Sequence, residues 1–227
     1  MNILAIETST QACSAALLCE GKLSQRHQIA PRGHGDLILA MADELLREAG
    51  LTPAELSAVA FGRGPGAFTG VRIATGVAQG IAYAADLPVV PVSTLAALAL
   101  AANQRKGVQA VLCATDARMG EVYWGAYQIR QGMVSLLGEE HVCRPEEVPS
   151  PAEGEWYGVG NGWEVYAERL PQLLAAAPEL EMTALLPGAG EVALLARHEL
   201  EQGRSVSAEQ ALPVYLRDNV AQKSTKL

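Results

Sequence analysis

The order of apolar segments along the first 103 residues constrains the fold more than any other feature. Three strand-like runs come in immediate succession, and helices and strands then alternate. Asn2 to Ile6 and Ala12 to Cys19 are apolar runs, and Glu20-Gly21 is a turn into the mixed run Lys22 to Ile29. Connections this short join antiparallel neighbours, so these runs form a meander. After the break at Pro31-Arg32-Gly33 a helix runs from His34 to Ala49, stopped by Gly50 as a left-handed cap. Thr52-Pro53 starts a short helical turn, and Ser57 to Phe61 is a buried strand. A glycine-rich loop, Gly62 to Phe68, leads to a helix from Thr69 to Ala85, a strand from Val89 to Val92 and a helix from Ser93 to about Asn103. Right-handed crossovers between the later strands give a mixed sheet with helices on both faces.

A second unit begins near Gly107. Gln109 to Thr115 is a buried strand, Asp116 to Gly120 a hairpin turn, Glu121 to Ile129 its partner, and a turn at Arg130-Gln-Gly132 leads to Met133 to Leu137. It thus opens with a meander like the first, as a duplicated core does. Beyond it, Pro145 to Glu155 is an acidic, proline-rich connection, and only Trp163 to Leu170 and Glu191 to Gln202 read as helices. The fold class is α/β. The element order matches a duplicated ribonuclease-H-like fold, of the actin, hexokinase and Hsp70 type, with mixed sheets flanked by helices and an abbreviated second copy. Residues 1–104 form the first domain and 105–227 the reduced second one.

Charge narrows the function. Lys plus Arg number 17 against 25 Asp plus Glu, a net charge of −8, and only 5% of residues are aromatic. Residues 1–100 carry 6 cations against 8 acids and the remainder 11 against 17, so neither part is a basic module. A chain that bound nucleic acid by itself would need a cationic surface and stacking platforms, so this acidic, aromatic-poor composition disfavours independent nucleic-acid binding. The most apolar stretch, Val71 to Ala85, is shorter than the roughly 20 residues of a membrane span and is interrupted by Gly76, Gln79 and Gly80. The N-terminal run MNILAIETST reads as a strand without the charged, apolar and cleavage regions of a leader. A cytoplasmic protein is expected. Cys13, Cys19, Cys113 and Cys143 include no C-x-x-C pair and read as reduced, and His27, His34, His141 and His198 form no local metal pair.

The first two helices are more apolar than one sheet face requires. In the first, Asp36, Asp43, Glu44 and Arg47 share a narrow face, while Leu37, Ile38, Met41, Ala42, Leu45, Leu46 and Ala49 span an arc of about 200° at helical spacing. The second has Arg72 as its one charge and a G-x-x-x-G pair at Gly76 and Gly80, a close-packing device. Both helices could be buried within the chain, but leaving several such large side chains in water would cost a chain this small much of its stability. A helix-on-helix interface with a second molecule is therefore expected, of about 1,600 Å² in total. The residues assigned to that interface are His34, Leu37, Ile38, Met41, Leu45, Val71, Arg72, Thr75 and Gln79.

Three segments have the make-up of phosphate sites. Glu7, Thr8 and Ser9, with Thr10, sit at a hairpin turn where hydroxyls and amides can face an anion. Gly62 to Phe68 precedes a helix, and Asp116-Ala-Arg118 occupies the equivalent hairpin of the second unit. Each is also ordinary turn chemistry.

Taken together and in order, ILAIETST, RGHGDLILAMADELL, AFGRGPGAFTGVRIATGVAQGIAYAADLPVVPVSTLAALA, TDARMGEVYWGAY and LPVYLRDNVAQK resemble the TsaB (YeaZ) family. The resemblance implies a subunit needed for threonylcarbamoyladenosine in tRNA. It would dimerise through its first two helices, alone as a homodimer and in the complex with the catalytic paralogue TsaD, which the ATPase TsaE joins. In TsaD a V-N-H-x-x-x-H run supplies two metal-binding histidines; here Thr94 and Leu98 stand at those places. Nucleotide-binding relatives carry D-x-G where this chain has Arg118, and many TsaB-like sequences carry Asp where it has Glu7. The resemblance with these departures implies a non-catalytic partner without a metal or tightly bound cofactor. Glu7, Thr8 and Ser9 would be a degenerate phosphate site, ATP or ADP would bind only in the complex, and tRNA would be contacted through the partners. The alternative is an autonomous phosphotransferase or metallopeptidase-like enzyme using Glu7 and Asp116.

Overall fold

The computed structural model describes residues 1–151, 153–170, 174 and 178–217. The last part of the closing motif, residues 218–223, lies outside the described residues. Strands β1 (Asn2–Glu7), β2 (Ala12–Cys19) and β3 (Lys22–Ile29) form the meander, with Glu7 opposite Ser14 and Cys19 opposite Lys22. Helix α1 (His34–Ala49) ends at Gly50, whose φ of 67° suits a residue without a Cβ. Then follow β4 (Ala58–Gly62), α2 (Phe68–Ala85), β5 (Val89–Val92) and α3 (Thr94–Lys106). The first sheet has the order β3-β2-β1-β4-β5, with β1, β4 and β5 parallel. The Ser93 hydroxyl caps α3 by accepting from the backbone N–H groups of Leu95 at 3.1 Å and Ala96 at 3.2 Å.

The second sheet repeats this plan with one strand fewer. Its strands are β6 (Ala110–Arg118), β7 (Glu121–Arg130), β8 (Met133–Cys143) and β9 (Tyr157–Val159), in the order β8-β7-β6-β9. They correspond to β3-β2-β1-β4, and β5 has no counterpart among the described residues. Strand β8 runs beyond Leu137 to Cys143, where the apolar pattern gives way to Glu139 and Glu140. A register shift opposite Trp124 and Ala126 lets pairing resume after Gly138. The helix read over Trp163 to Leu170 is only α4 (Gly162–Val165), followed by turns. Tyr166 leaves helical geometry there, and its hydroxyl bonds Asp116 Oδ1 at 3.2 Å and the Glu121 carbonyl at 3.3 Å. A short α5 (Leu180–Thr183) precedes α6 (Ala189–Glu201).

The layers decide where the last helix goes. One face of the first sheet packs α1 and α2 around Leu4, Ile6, Leu17, Val59 and Phe61. The other face packs Val192, Ala193 and Ala196 of α6 against Ile3, Ala5, Ala16 and Leu18. Residues 189–201, which the sequence division places with the second unit, therefore close the first sheet. Helix α3 is apolar on two sides: Ala97 meets the first sheet, while Leu95, Leu98 and Ala99 meet Val111, Cys113 and Tyr127 of the second. Among the described residues no helix is long and apolar enough to cross a membrane.

Candidate functional site

The turn after β1 points inward. Glu7, Thr8 and Ser9 are buried. The Ser9 N–H donates to Glu7 Oε1 at 2.5 Å, the Thr94 hydroxyl to Oε2 at 3.4 Å, and the Thr8 hydroxyl to the Gly70 carbonyl at 2.7 Å. Burial pushes the Glu7 carboxyl up from its ordinary value, against the pull of these hydrogen bonds. The glycine-rich loop lies directly on this turn. A methyl group at Gly62 would overlap the Glu7 carboxylate, one at Gly66 would stand 2.6 Å from Ser9 Cβ, and one at Gly70 would overlap the Thr8 carbonyl. These glycines let the loop and the start of α2 pack directly on the turn after β1. The residues offered by the sequence as a phosphate cradle are thus buried and packed against their own chain.

At the matching hairpin of the second unit the exposed arginine ties up the aspartate. Asp116 Oδ1 accepts from the Arg118 N–H at 2.8 Å, and Oδ2 pairs with the Arg118 guanidinium at 3.0 Å. Arg118 and Met119 both have left-handed backbone, with φ of 63° and 58°, which costs a residue with a Cβ roughly 1–2 kcal/mol. Leu98 is in the core, and among the described residues no group of three His, Cys, Asp or Glu could hold a metal ion.

Glu140 is the polar hub that sequence reasoning missed. Its Oε1 accepts from the hydroxyls of Tyr127, at 2.5 Å, and of Ser93, while Oε2 faces Arg63 Nη2 at 3.3 Å. Burial and the facing carboxylate push the Tyr127 phenol well above its ordinary range. In sequence, Glu139-Glu140 resembles a solvated end of a strand, and nothing local announces a partner as distant as Arg63.

The first two helices require a correction. Ile38 and Leu45, at 0% and 1% exposure, and Met41 belong to the core around the first sheet; Val71, Thr75 and His34 are buried as well. Leu37 and Gln79 are half-buried, with Gln79 Nε2 donating to the Ala211 carbonyl at 2.9 Å. The wide apolar arc of α1 is covered by the sheet and by α2, and the 3-10 turn Ala208–Gln210 packs on α2, so most of the proposed contact residues are internal. Only Arg72 of that set is exposed.

What α2 does expose is a different stripe. Phe68, Arg72, Gly76, Gly80 and Tyr83 lie on one side of the helix, with Phe68 54% and Tyr83 74% exposed, and Leu39 of α1 is 55% exposed. A methyl at Gly76 or Gly80 would meet nothing, so the middle of the stripe is an open groove between large side chains. The Arg72 guanidinium lies 3.7 Å over the Phe68 ring and donates through Nε to the Tyr215 hydroxyl at 2.8 Å.

Residues 22–225 match the family model described as "TsaD: tRNA N6-adenosine threonylcarbamoyltransferase". A protein of Escherichia coli (strain K12), "tRNA threonylcarbamoyladenosine biosynthesis protein TsaB", is 42% identical over 228 residues, covering 98% of this chain and 97% of that one. This chain belongs to the TsaB family. The solved structure "YeaZ from Pseudomonas aeruginosa" is 49% identical, with a TM-score of 0.89, covering 95% of this chain and 99% of that one. A second one, described as having similarity to peptidase YeaZ and from the same organism, is 49% identical with a TM-score of 0.90 over the same shares. Membership of the TsaB family and the two mixed sheets agree with the ribonuclease-H-like fold expected from the element order.

Proposed function

We propose that this chain is a non-catalytic subunit in the formation of threonylcarbamoyladenosine in tRNA, and that it docks through the exposed stripe of α2. The observation that carries this reading is the stripe itself: two open glycines flanked by Phe68, Arg72 and Tyr83. Helix backbones approach closely over such a groove, and aromatic and arginine side chains at its ends are the residue types that dominate binding energy. The partner in this reading is the TsaD-type transferase, with a second copy of the chain occupying the same face when it is alone and the ATPase TsaE joining the pair.

The transfer then belongs to the partner. Threonylcarbamoyl passes from its adenylate to the adenine N6, breaking the carbonyl carbon's bond to the phosphate oxygen and forming one to nitrogen, with AMP leaving and the N6 amino group giving up a proton. This chain's contribution is to position the transferase. ATP or ADP belongs to the complex, the chain itself holding no tight cofactor or metal, and tRNA is met through the partners, in the cytoplasm. An autonomous phosphotransferase or peptidase would need Glu7 and Asp116 open to a cleft, whereas both are engaged in internal bonds. Reconstitution tests the reading: omitting this chain should abolish modification of tRNA by the transferase and ATPase. Transfer by this chain alone, or full activity without it, refutes it.

A further inference from the structure

Residues 211–217 form a strap tied to both lobes. The Val214 N–H donates to the Arg63 carbonyl at 2.8 Å, beside the Gln79 bond to Ala211. The Tyr215 hydroxyl accepts from Arg72, and its ring lies 5.8 Å from that of Phe68. Two residues later the Arg217 guanidinium reaches the second lobe. It donates to the carbonyls of Ala117 at 3.1 Å and Arg118 at 3.4 Å, pairs with Glu121, and stands 3.7 Å from the sulfur of Met119.

The hairpin tip it holds is an unusual one. Arg118, Met119 and Gly120 are consecutive left-handed residues, with φ of 63°, 58° and 77°. Side chains tolerate such a run only where the surroundings over-determine it. Arg217 supplies that constraint by fixing two carbonyls next to the tip, while Met119 is 70% exposed. The segment that touches the end of the α2 stripe is therefore the one that secures the tip.

We infer that this strap couples the α2 face to the β6–β7 hairpin, so that a partner seated on Phe68 and Arg72 displaces Tyr215 and releases the clasp that Arg217 makes on the carbonyls of Ala117 and Arg118. This inference rests on the docking reading of α2. Two residues of extended chain span at most about 7 Å, which leaves little slack between Tyr215 and Arg217 to absorb a displacement.

The methyl signals of the five methionines, read by NMR on the full chain, test it. Arg217→Ala, which removes the contact directly, should shift the Met119 methyl. Tyr215→Ala and Arg72→Ala should shift it in the same direction by at least half as much, while the buried Met182 reports an unchanged fold. If Arg217→Ala moves Met119 and the other two variants leave it at the wild-type position, the strap does not couple. If Arg217→Ala does not move it, the clasp itself is not populated and the inference fails. Titration with the TsaD-type transferase separates the two readings: binding with a Met119 shift supports both. Binding without a shift overturns the strap alone, and absence of binding overturns the docking reading.

Discussion

Arg63 and Glu140, 77 positions apart in the chain, meet at 3.3 Å where the loop after β4 faces the edge strand of the second sheet. Their side chains are 25% and 5% exposed, and the hydroxyls of Tyr127 and Ser93 complete the shell of the carboxylate. Removing the carboxylate takes away the shared acceptor of Tyr127, Ser93 and Arg63. Glu140→Ala should lower stability by about 3 kcal/mol, read from urea unfolding. A loss below about 0.5 kcal/mol, the scale of an exposed ion pair, would mean that the cluster does not hold the lobes together.

Glu7 carries a pH dependence with a definite sign. Its carboxyl is raised by burial, so the folded chain favours the neutral form and the unfolded chain ionises first as pH rises. The stability this group contributes is therefore complete below its unfolded pKa and is lost as pH rises through the folded one. Glu7→Gln mimics the neutral form. Urea unfolding from about pH 4, near the ordinary carboxylate value, upward should show the variant gaining on the wild type as pH rises. A constant difference across that range would contradict the assignment.

Leu45 and Tyr83 should separate stability from association. Leu45 is buried in the first core, so Leu45→Ala should cost about 3 kcal/mol of unfolding free energy. Tyr83 is largely exposed at the end of the open stripe, so Tyr83→Ala should leave stability within about 0.5 kcal/mol and weaken association with the partner. Thermal unfolding and sedimentation, run on both variants, check the pair of outcomes.

Gly80 tests the groove and Gly70 the closure beneath it. Gly80→Leu fills open space, so the chain should fold normally and lose close helix-on-helix contact in sedimentation. Gly70→Ala places a methyl into the Thr8 carbonyl, which must shift, and should cost about 2 kcal/mol in urea unfolding. An unaffected Gly70→Ala variant would mean that α2 can lift from the turn after β1.

Much of the first lobe was legible because its signals are local. The limits of β2, β3, α1 and β5 follow from runs bounded by turn residues and caps, such as Glu20-Gly21 and Gly50. The elements that departed are those settled by distant partners. Tyr166 leaves the helical path to reach Asp116, and β8 continues past Leu137 because His141, Val142 and Cys143 find Trp124, Tyr123 and Val122 on β7 beyond the register shift. The phosphate-like turn was found in sequence, but its inward orientation depends on Gly62, Gly66 and Gly70 arriving from another part of the chain.

The sequence by itself determined the periods, the caps and hence the order of strands and helices, since each depends on neighbours within a few residues. It also showed that α1 and α2 hold more apolar surface than one sheet face covers. Which faces of these helices are internal was decided only by tertiary structure. The turn at 208–210, returning from the far end of the chain, helps cover the side that carries Val71, Thr75 and Gln79 and leaves Phe68, Arg72, Gly76, Gly80 and Tyr83 outside. Burial is a property of everything that packs around a side chain, and a helical wheel records only its direction.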